Sequence, residues 1–392
     1  MNNTQKLSVL FVTNNYSPYS GGVVNSIRSH AHELRKQGHR VTIVTLDFLD
    51  RYTDREDDVV RLFCPLKFEM NTNHMAVPWQ AQQQITSLIK TLNPCIVHVH
   101  HPFLLGKAAS RVAQRLKIPV VFTYHTLYEH YAHYVPFIPT KLTQQIVKHM
   151  VHTFCKKIDG IIAPSSIVQE QLFKADIKTP IARIASSIAE DFFLPLPLLS
   201  KKINQPFHVI TVSRFAKEKN IPFLIDVVAE LDPTAFVATF IGYGPEKKRL
   251  EKYAFSHKKI PPHMITFVEK PSKELLMRSY YNADLFIFAS QSETQGLVLA
   301  EAMSQGTPVI ALQGPGQRDL IEHGKNGYLI YNQQEMQNAV ELLQQNPFLI
   351  ERLQKNAFET AQQFTPEKVT SSLVHFYHDI INQHSLSNKR PC

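Results

Sequence analysis

Several features that would assign this 392-residue chain to a narrow class are missing. No apolar run approaches the ~20 residues of a membrane-spanning helix, which argues against an integral membrane protein. The opening Lys6-Leu7-Ser8-Val9-Leu10-Phe11-Val12-Thr13 is too short for the apolar stretch of a signal peptide and has no small-residue cleavage site; it reads as a first strand. Four cysteines, Cys64, Cys95, Cys155 and Cys392, lie far apart with no Cys-x-x-Cys, as suits reduced thiols in a cytosol and not a zinc site. The 24 prolines form no repeat. Asp-x-Asp is absent, so a metal-bridged diphosphate is not signalled and no metal is expected.

What is present is the composition of a globular protein, 44% hydrophobic and 19% charged. The length suits two domains of roughly 150–200 residues each. The formal charge of +9 is unevenly spread. Residues 1–85 carry 9 basic and 8 acidic side chains, residues 86–183 carry 12 and 4, and residues 191–392 carry 21 and 20. A hundred-residue block thus holds nearly the whole excess, which fits either an anionic partner surface or scattered solvated lysines.

Two stretches open alike, with an apolar β run, a polar turn and a helix. In the first, Leu7–Thr13 leads through Asn14–Gly22 to a helix over about 23–37, where Val24, Ile27, Ala31 and Leu34 recur at three- and four-residue steps. Gly38 stops it and Val41–Thr45 supplies the next strand, completing a βαβ unit. Strands are expected at 96–99, 120–123 and 160–163, with helices at about 80–92, 105–116 and 139–157. The second opening is Phe207–Val212, a turn containing Arg214 and Lys219, and a helix over 221–231. Strands at about 236–241, 265–268, 285–289 and 308–312 then alternate with helices at 245–256, 272–282 and 296–305, and helical spacing returns at 334–345, 348–363 and 366–382. Such alternation predicts an α/β protein of two doubly wound parallel-sheet, Rossmann-like domains facing a cleft. The domains are expected at 1–190 and 207–365, joined by the proline-bearing linker 191–206, with a last helix at 366–385 crossing back to the first.

The most specific segment is Ser290-Gln-Ser-Glu293-Thr-Gln-Gly296-Leu297-Val298-Leu-Ala-Glu301-Ala-Met-Ser-Gln-Gly306-Thr-Pro308-Val-Ile310. Glu293 precedes the turn at Gly296 and Glu301 lies within the following helix. Amides of Gly296, Leu297 and Val298 at a helix N-terminus suit an anion, and a carboxylate on that helix suits a pair of ribose hydroxyls. Taken alone, the spacing fits a helix-capping Glu293 and a solvated Glu301 equally well. Arg214 and Lys219 flank the turn after the second domain's first strand, where the planar fork of Arg and the point charge of Lys suit phosphate oxygens.

These residues resemble the E-x7-E signature of the retaining GT-B glycosyltransferases of family 4. The likeness covers most of the chain: the Gly21-Gly22 loop, Leu34-Arg-Lys-Gln-Gly38-His-Arg-Val41, His98-Val-His100, Thr123-Tyr-His125, Arg214 to Lys219, Ile241-Gly-Tyr-Gly244 and Gly324-Lys-Asn-Gly327. The resemblance implies a hexosyltransferase with a UDP-sugar as donor substrate and no required cofactor. Arg214 and Lys219 would clamp the pyrophosphate, Glu301 would hold the ribose, and Gly21-Gly22 would lie over the donor phosphates and the acceptor. It implies catalytic places for Glu293, as a sugar- or charge-positioning group, and for His125, beside the transferred sugar. In His98, His100 and His101 it favours structure over zinc. Two departures, Ser186-Ser187 before Ile188 and Glu269-Lys270-Pro271 after the strand at 265–267, bear on base selectivity.

Within that family, Thr123–Tyr131 and Gly314-Pro-Gly-Gln-Arg-Asp319 look like bacterial glucosyltransferases that glycosylate diacylglycerol. Residues 139–157 combine Lys141, Lys148, Lys156 and Lys157 with Leu142, Ile146, Val147, Met150 and Phe154, downstream of Tyr128 and Tyr131. A basic amphipathic helix of this kind suits an anionic bilayer, although a core-facing helix with solvated lysines has the same pattern. The expectation is glucose transfer from a UDP-sugar to a membrane lipid such as diacylglycerol, by an enzyme peripheral to the inner face of the membrane. The alternatives are a soluble, protein or cell-surface polysaccharide or lipopolysaccharide acceptor, a degenerate GT-B interaction protein, or a nucleic-acid binder, for which no module is recognised and no nucleic acid is expected.

Overall fold

The computed structural model describes residues 5–17, 21–48, 58–70, 73–126, 140–193 and 205–388. The chain divides into two units, Met1–Ser187 with Pro366–Cys392, and Ile188–Thr365. The first contains strands β1 (Ser8–Val12), β2 (Arg40–Leu46), β3 (Val59–Leu62), β4 (Leu66–Met70), β5 (Asn73–Val77), β6 (Ile96–Val99), β7 (Val120–Thr123), β8 (Gly160–Ala163) and β9 (Ile181–Arg183). Its helices are α1 (Gly22–Lys36), α2 (Ala81–Leu92), α3 (Leu105–Arg115), α4 (Thr140–Cys155) and α5 (Ser166–Lys174). Seven strands form a parallel sheet in the order β3-β2-β1-β6-β7-β8-β9, and β4 and β5 form a separate antiparallel hairpin.

The second unit runs β10 (Phe207–Val212), α6 (Ile221–Ala229), β11 (Phe236–Ile241), α7 (Lys247–Lys252), β12 (Ile265–Val268), α8 (Lys273–Asn282), β13 (Leu285–Phe288), α9 (Leu297–Ser304), β14 (Val309–Leu312), β15 (Gly327–Ile330), α10 (Gln333–Gln345) and α11 (Pro347–Ala361). Its six strands are parallel in the order β12-β11-β10-β13-β14-β15. α12 (Pro366–Asn388) then returns to the first unit.

Central strands such as β6, β8, β13 and β14 are buried at every position and are unbroken apolar runs or nearly so, because helices cover both faces of a parallel sheet. In the first unit, α2, α3, α4 and α5 pack with Leu10, Val12, Val44, Val97 and Phe122 on one side. On the other, α1 and α12 pack with Val9, Phe11, Ile43, Val121 and Ile162. The expected stripe of α1, Val24, Ile27, Ala31 and Leu34, is wholly buried there. α12 contributes Val369, Leu373, Phe376, Tyr377, Ile380 and Ile381, the spacing of one helical face.

The structure adds to the sequence expectation α5 and β9, in a stretch to which no element was assigned, and β15. Residues 190–193, where the expected first domain meets the expected linker 191–206, form a 3-10 turn whose Phe192 is buried with Ala302, Met303 and Tyr280 of the second unit. The stretch 47–79, to which the sequence assigned no element, holds β3 and the β4–β5 hairpin.

If α12 is an integral part of the first unit's core, Leu373→Ala should destabilise that unit by about 2–5 kcal/mol, the usual range for a buried Leu. Hydrogen exchange should quicken in β1, β7 and β8 and stay unchanged in β10 to β15; equal quickening in both sheets would refute the assignment.

Candidate functional site

In the second sheet the chain direction of strand addition reverses between β10 and β13, so the connections after these neighbours leave to opposite faces and open a crevice at their carboxyl ends. Arg214 and Lys219 lie in the connection after β10, Glu293 in the one after β13. The Lys219 ammonium contacts Glu293 Oε1 across the crevice, with the two side chains 14% and 23% exposed. The Arg214 guanidinium contacts Glu218 Oε1 within its own turn, and Lys217 is exposed.

Backbone contacts hold both connections. Ser213 N donates to Ile241 O at 3.0 Å and Phe215 N to Tyr243 O at 2.8 Å. A Cβ on Gly242 would stand 1.8 Å from the Ser213 carbonyl oxygen, so glycine permits that approach. On the other side, a Cβ on Gly316 would stand 2.6–2.8 Å from the Gln295 backbone. Buried Gln317 donates to the carbonyls of Ser290 and, at 3.3 Å, Leu312, while Ser290 Oγ donates to Glu218 O at 3.3 Å. The Glu293 connection is therefore tied to the one bearing Lys219.

α9 starts at Gly296, in the left-handed region at φ 77°, with no acidic residue in its first turn and no side-chain cap. Leu297 and Val298 supply its first amides, the positive end of the helix dipole. Glu301 is not the solvated carboxylate that its spacing allowed. Its Oε2 accepts from the Tyr280 hydroxyl at 3.1 Å, and Tyr280 is fully buried with its carbonyl accepting from Thr307 Oγ1 at 2.6 Å. Burial pushes the Glu301 pKa up to about 7, against the opposing pull of the Tyr280 hydrogen bond and of Lys273.

In the first sheet the reversal falls between β1 and β6. Gly21 caps α1 in extended backbone, with open space where a Cβ would stand, and Gly22 is the first helical residue, not a loop residue. His125 follows β7, and its Nε2 is 2.9 Å from His100 Nδ1. His98 bonds the Tyr377 hydroxyl at 2.6 Å and the Thr123 hydroxyl at 2.7 Å, and His101 Nδ1 lies 3.2 Å from Thr13 Oγ1. Burial lowers the pKa of all four, to about 4 for His101 and well below 6.5 for the others, so these rings are neutral near pH 7. No group of three or more metal-ligating side chains occurs among the described residues.

The basic helix divides in a way that its sequence pattern left open. Val147, Val151, Phe154 and Cys155 of α4 face the core. Leu142, Ile146 and Met150, at successive four-residue steps, are 43–50% exposed, beside exposed Lys141 and Lys148 and with Lys156 and Lys157 exposed just beyond the helix. On α3, Lys107, Arg111 and Arg115 form an exposed stripe at the same spacing, and α2, α3 and α4 contain no carboxylate. Tyr128 and Tyr131 lie outside the described residues. Among the described residues no helix is long and apolar enough to cross a membrane.

Sequence reasoning did not single out Tyr280, Ser290, Gln317 or the α3 stripe. Tyr280 stands three residues after buried Met277 and reads as core, and only the fold brings its hydroxyl to Glu301. The stripe was legible as a four-residue repeat of cations in an acid-free stretch.

Residues 20–192 match the model of Glycosyltransferase Family 4, and residues 200–360 match that of Glycosyl transferases group 1. The chain is 31% identical over 344 residues to an alpha-monoglucosyldiacylglycerol synthase of Streptococcus pneumoniae, covering 84% of this chain and 76% of the relative. It is 27% identical over 389 residues to the alpha-monoglucosyldiacylglycerol synthase of Acholeplasma laidlawii, covering 94% and 96%. A GDP-mannose-dependent alpha-mannosyltransferase of Corynebacterium glutamicum is 27% identical over 83% of this chain and 76% of its own. Among solved structures, Anabaena HepE in complex with UDP superposes with a TM-score of 0.75 at 18% identity, over 95% of this chain and all of that one. The shared fold is GT-B.

The Glu301 environment has a consequence that needs no ligand. With its folded pKa raised from 4.5 to about 7, ionisation removes stability as the pH rises through that interval. Glu301→Gln should therefore match the wild type near pH 4 and exceed it above about pH 7.5, by at most about 3 kcal/mol. Thermal unfolding across this range checks it, and a pH-independent difference would show that Glu301 ionises without hindrance.

Proposed function

The chain belongs to the family 4 glycosyltransferases, and from that premise we propose that it transfers a hexose, glucose in the first instance, from a UDP-sugar to a membrane lipid of the diacylglycerol class. The observation that carries the donor reading is the convergence of Arg214, Lys219, Glu293 and the start of α9 at the reversal between β10 and β13. On this reading the donor's phosphate oxygens replace Glu218 and Glu293 as partners of the two cations. That exchange releases the Glu293 carboxylate toward the sugar hydroxyls. The amides of Gly296, Leu297 and Val298 complete the anion site, and Glu301, held by Tyr280, accepts from the ribose hydroxyl pair.

Charge then governs the chemistry. As the bond from the anomeric carbon to the phosphate oxygen breaks, negative charge grows on the diphosphate, where two cations and a helix dipole already point. The acceptor hydroxyl attacks from the same face, its proton passes to a leaving phosphate oxygen, and the anomeric configuration is retained. No protein base is required. On the first unit, the open backbone at Gly21-Gly22 and the neutral ring of His125 serve the sugar and the acceptor by hydrogen bonding and shape.

The acceptor reading rests on the names of the two relatives first described and on the face of α2, α3 and α4. Exposed apolar side chains beside cations, with carboxylates excluded, give a helix surface that lies in the headgroup region of an anionic bilayer. An enzyme drawing its acceptor from the bilayer would dock on the inner leaflet through this face and needs no spanning helix.

UDP release from UDP-glucose, with and without anionic vesicles containing diacylglycerol, tests both halves. Turnover should depend on vesicles and fall by about 100-fold or more in Arg214→Ala and Glu293→Ala. Turnover indifferent to vesicles, with a soluble glycan accepting the sugar, would reject the lipid acceptor and leave the donor site standing. Failure to bind UDP while binding GDP would reject the donor.

Replacing Leu142, Ile146 and Met150 together by Ser should abolish vesicle co-sedimentation while UDP affinity stays unchanged. Undiminished co-sedimentation would remove α4 from the docking surface.

A further inference from the structure

The carboxyl edge of the first sheet contains a buried contact between two imidazoles that the proposed chemistry does not use. His100 is fully buried, and its ring lies against His125 with centroids 5.2 Å apart and planes at 27°. On its other side His98 lies 4.2 Å away and the edge of Phe11 meets it at 4.9 Å. His98 is itself fixed at both nitrogens, by Tyr377 and Thr123, so the His100 ring has a rigid wall behind it.

The His100 Nδ1 to His125 Nε2 contact of 2.9 Å requires one proton between two neutral rings. Which ring owns it follows from the opposite corner of His100, where Nε2 is buried without a hydrogen-bond partner. If His125 donated, the proton of His100 would sit on Nε2 as a buried N–H with no acceptor. If His100 donates, Nε2 is a bare lone pair. Orphaned buried N–H groups are the rarer and more unfavourable of the two.

We propose that His100 is a positioning residue for His125: its Nδ1–H donates to His125 Nε2 and so fixes His125 as the neutral ring with its proton on Nδ1. His125 then meets the sugar as a hydrogen-bond donor through Nδ1, with the nitrogen that could accept a proton already occupied. This role rests on the reading of His125 as a residue beside the transferred sugar. It agrees with a reaction in which the leaving phosphate, not an imidazole, takes the acceptor's proton.

Two measurements on the full chain test it. In protein labelled with 15N-histidine, with His125 assigned by its loss in His125→Gln, the ring should show a protonated Nδ1 and a bare Nε2 throughout about pH 5–8. A proton on Nε2, or a mixture of the two forms, would overturn the proposal whatever the enzyme transfers.

Kinetics with UDP-glucose and diacylglycerol vesicles give the second arm. His100→Phe keeps the ring and removes the donor, and should lower kcat about tenfold with little change in KM. His100→Asn places an amide N–H near the former Nδ1 and should recover most of that loss, with the His125 pattern restored. Equal losses in both variants would make His100 merely structural. Wild-type protein inert toward every UDP-sugar would sink the functional reading instead, while the nitrogen pattern of His125 would still decide the tautomer.

Discussion

Parallel strands all end at the same edge of their sheet, and every chemically interesting residue of this protein stands where it does because of that constraint. Crossovers carry the chain back along a helix, so each strand's carboxyl end opens into a connection on the same side. Where the order of strands reverses, two adjacent connections diverge and leave room between them. In the second unit that place is flanked by β10 and β13, and it contains two cations, two carboxylates and the start of a helix. In the first it is flanked by β1 and β6, and it contains histidines.

The supports of these connections are backbone atoms more than side chains. Gly242 against Ser213 and Gly316 against Gln295 bring main chain onto main chain closer than any Cβ would allow. Such contacts make the position of Lys219 and Glu293 insensitive to rotamer changes at the surface. The side chains themselves remain partly exposed and are paired with one another, not with the scaffold. Cations held by exchangeable carboxylates can change partners without reorganising the fold, which is what binding of a diphosphate would require.

How much of this was legible in the sequence depends on burial. Strands covered on both faces were read to the residue: the expectations 96–99, 120–123 and 160–163 are β6, β7 and β8, because Ile96-Val-His-Val99, Val120-Val-Phe-Thr123 and Gly160-Ile-Ile-Ala163 are short, largely apolar runs buried at every position. Of the edge strands only β12, expected at 265–268, was. β3, β9 and β15 are short and half-exposed, so no periodicity marks them, and the β4–β5 hairpin pairs outside the main sheet. At the candidate site, Arg214 and Lys219 were picked out by their turn after a well-marked strand, and Glu293 by its likeness to the E-x7-E signature. What pairs them was not, since the contacts from Glu218 to Arg214, from Tyr280 to Glu301 and from Gln317 to Ser290 depend on which way a turn or helix rotates. The same limit applied to α4, where the sequence grouped Leu142, Ile146, Val147, Met150 and Phe154 together and only packing showed that Val147 and Phe154 face inward while Ile146 and Met150 face out.

The two units differ in how their polar groups meet low dielectric, and the difference suits the proposed division of labour. The second unit keeps its cations at the rim of the crevice, partly solvated, where they can stay charged and meet phosphate. The first unit gathers His98, His100, His101 and His125 on or just after its strands, where desolvation, joined by repulsion from other histidines at all but His101, lowers their pKa and favours the neutral ring. Neutral imidazoles offer hydrogen bonds to sugar and alcohol hydroxyls without placing a further cation beside them. A lipid alcohol brings no charge of its own to the reaction. On the proposed reading it fits a first unit that presents neutral imidazoles after its strands and an exposed row of cations on α3 and α4, where anionic headgroups would lie.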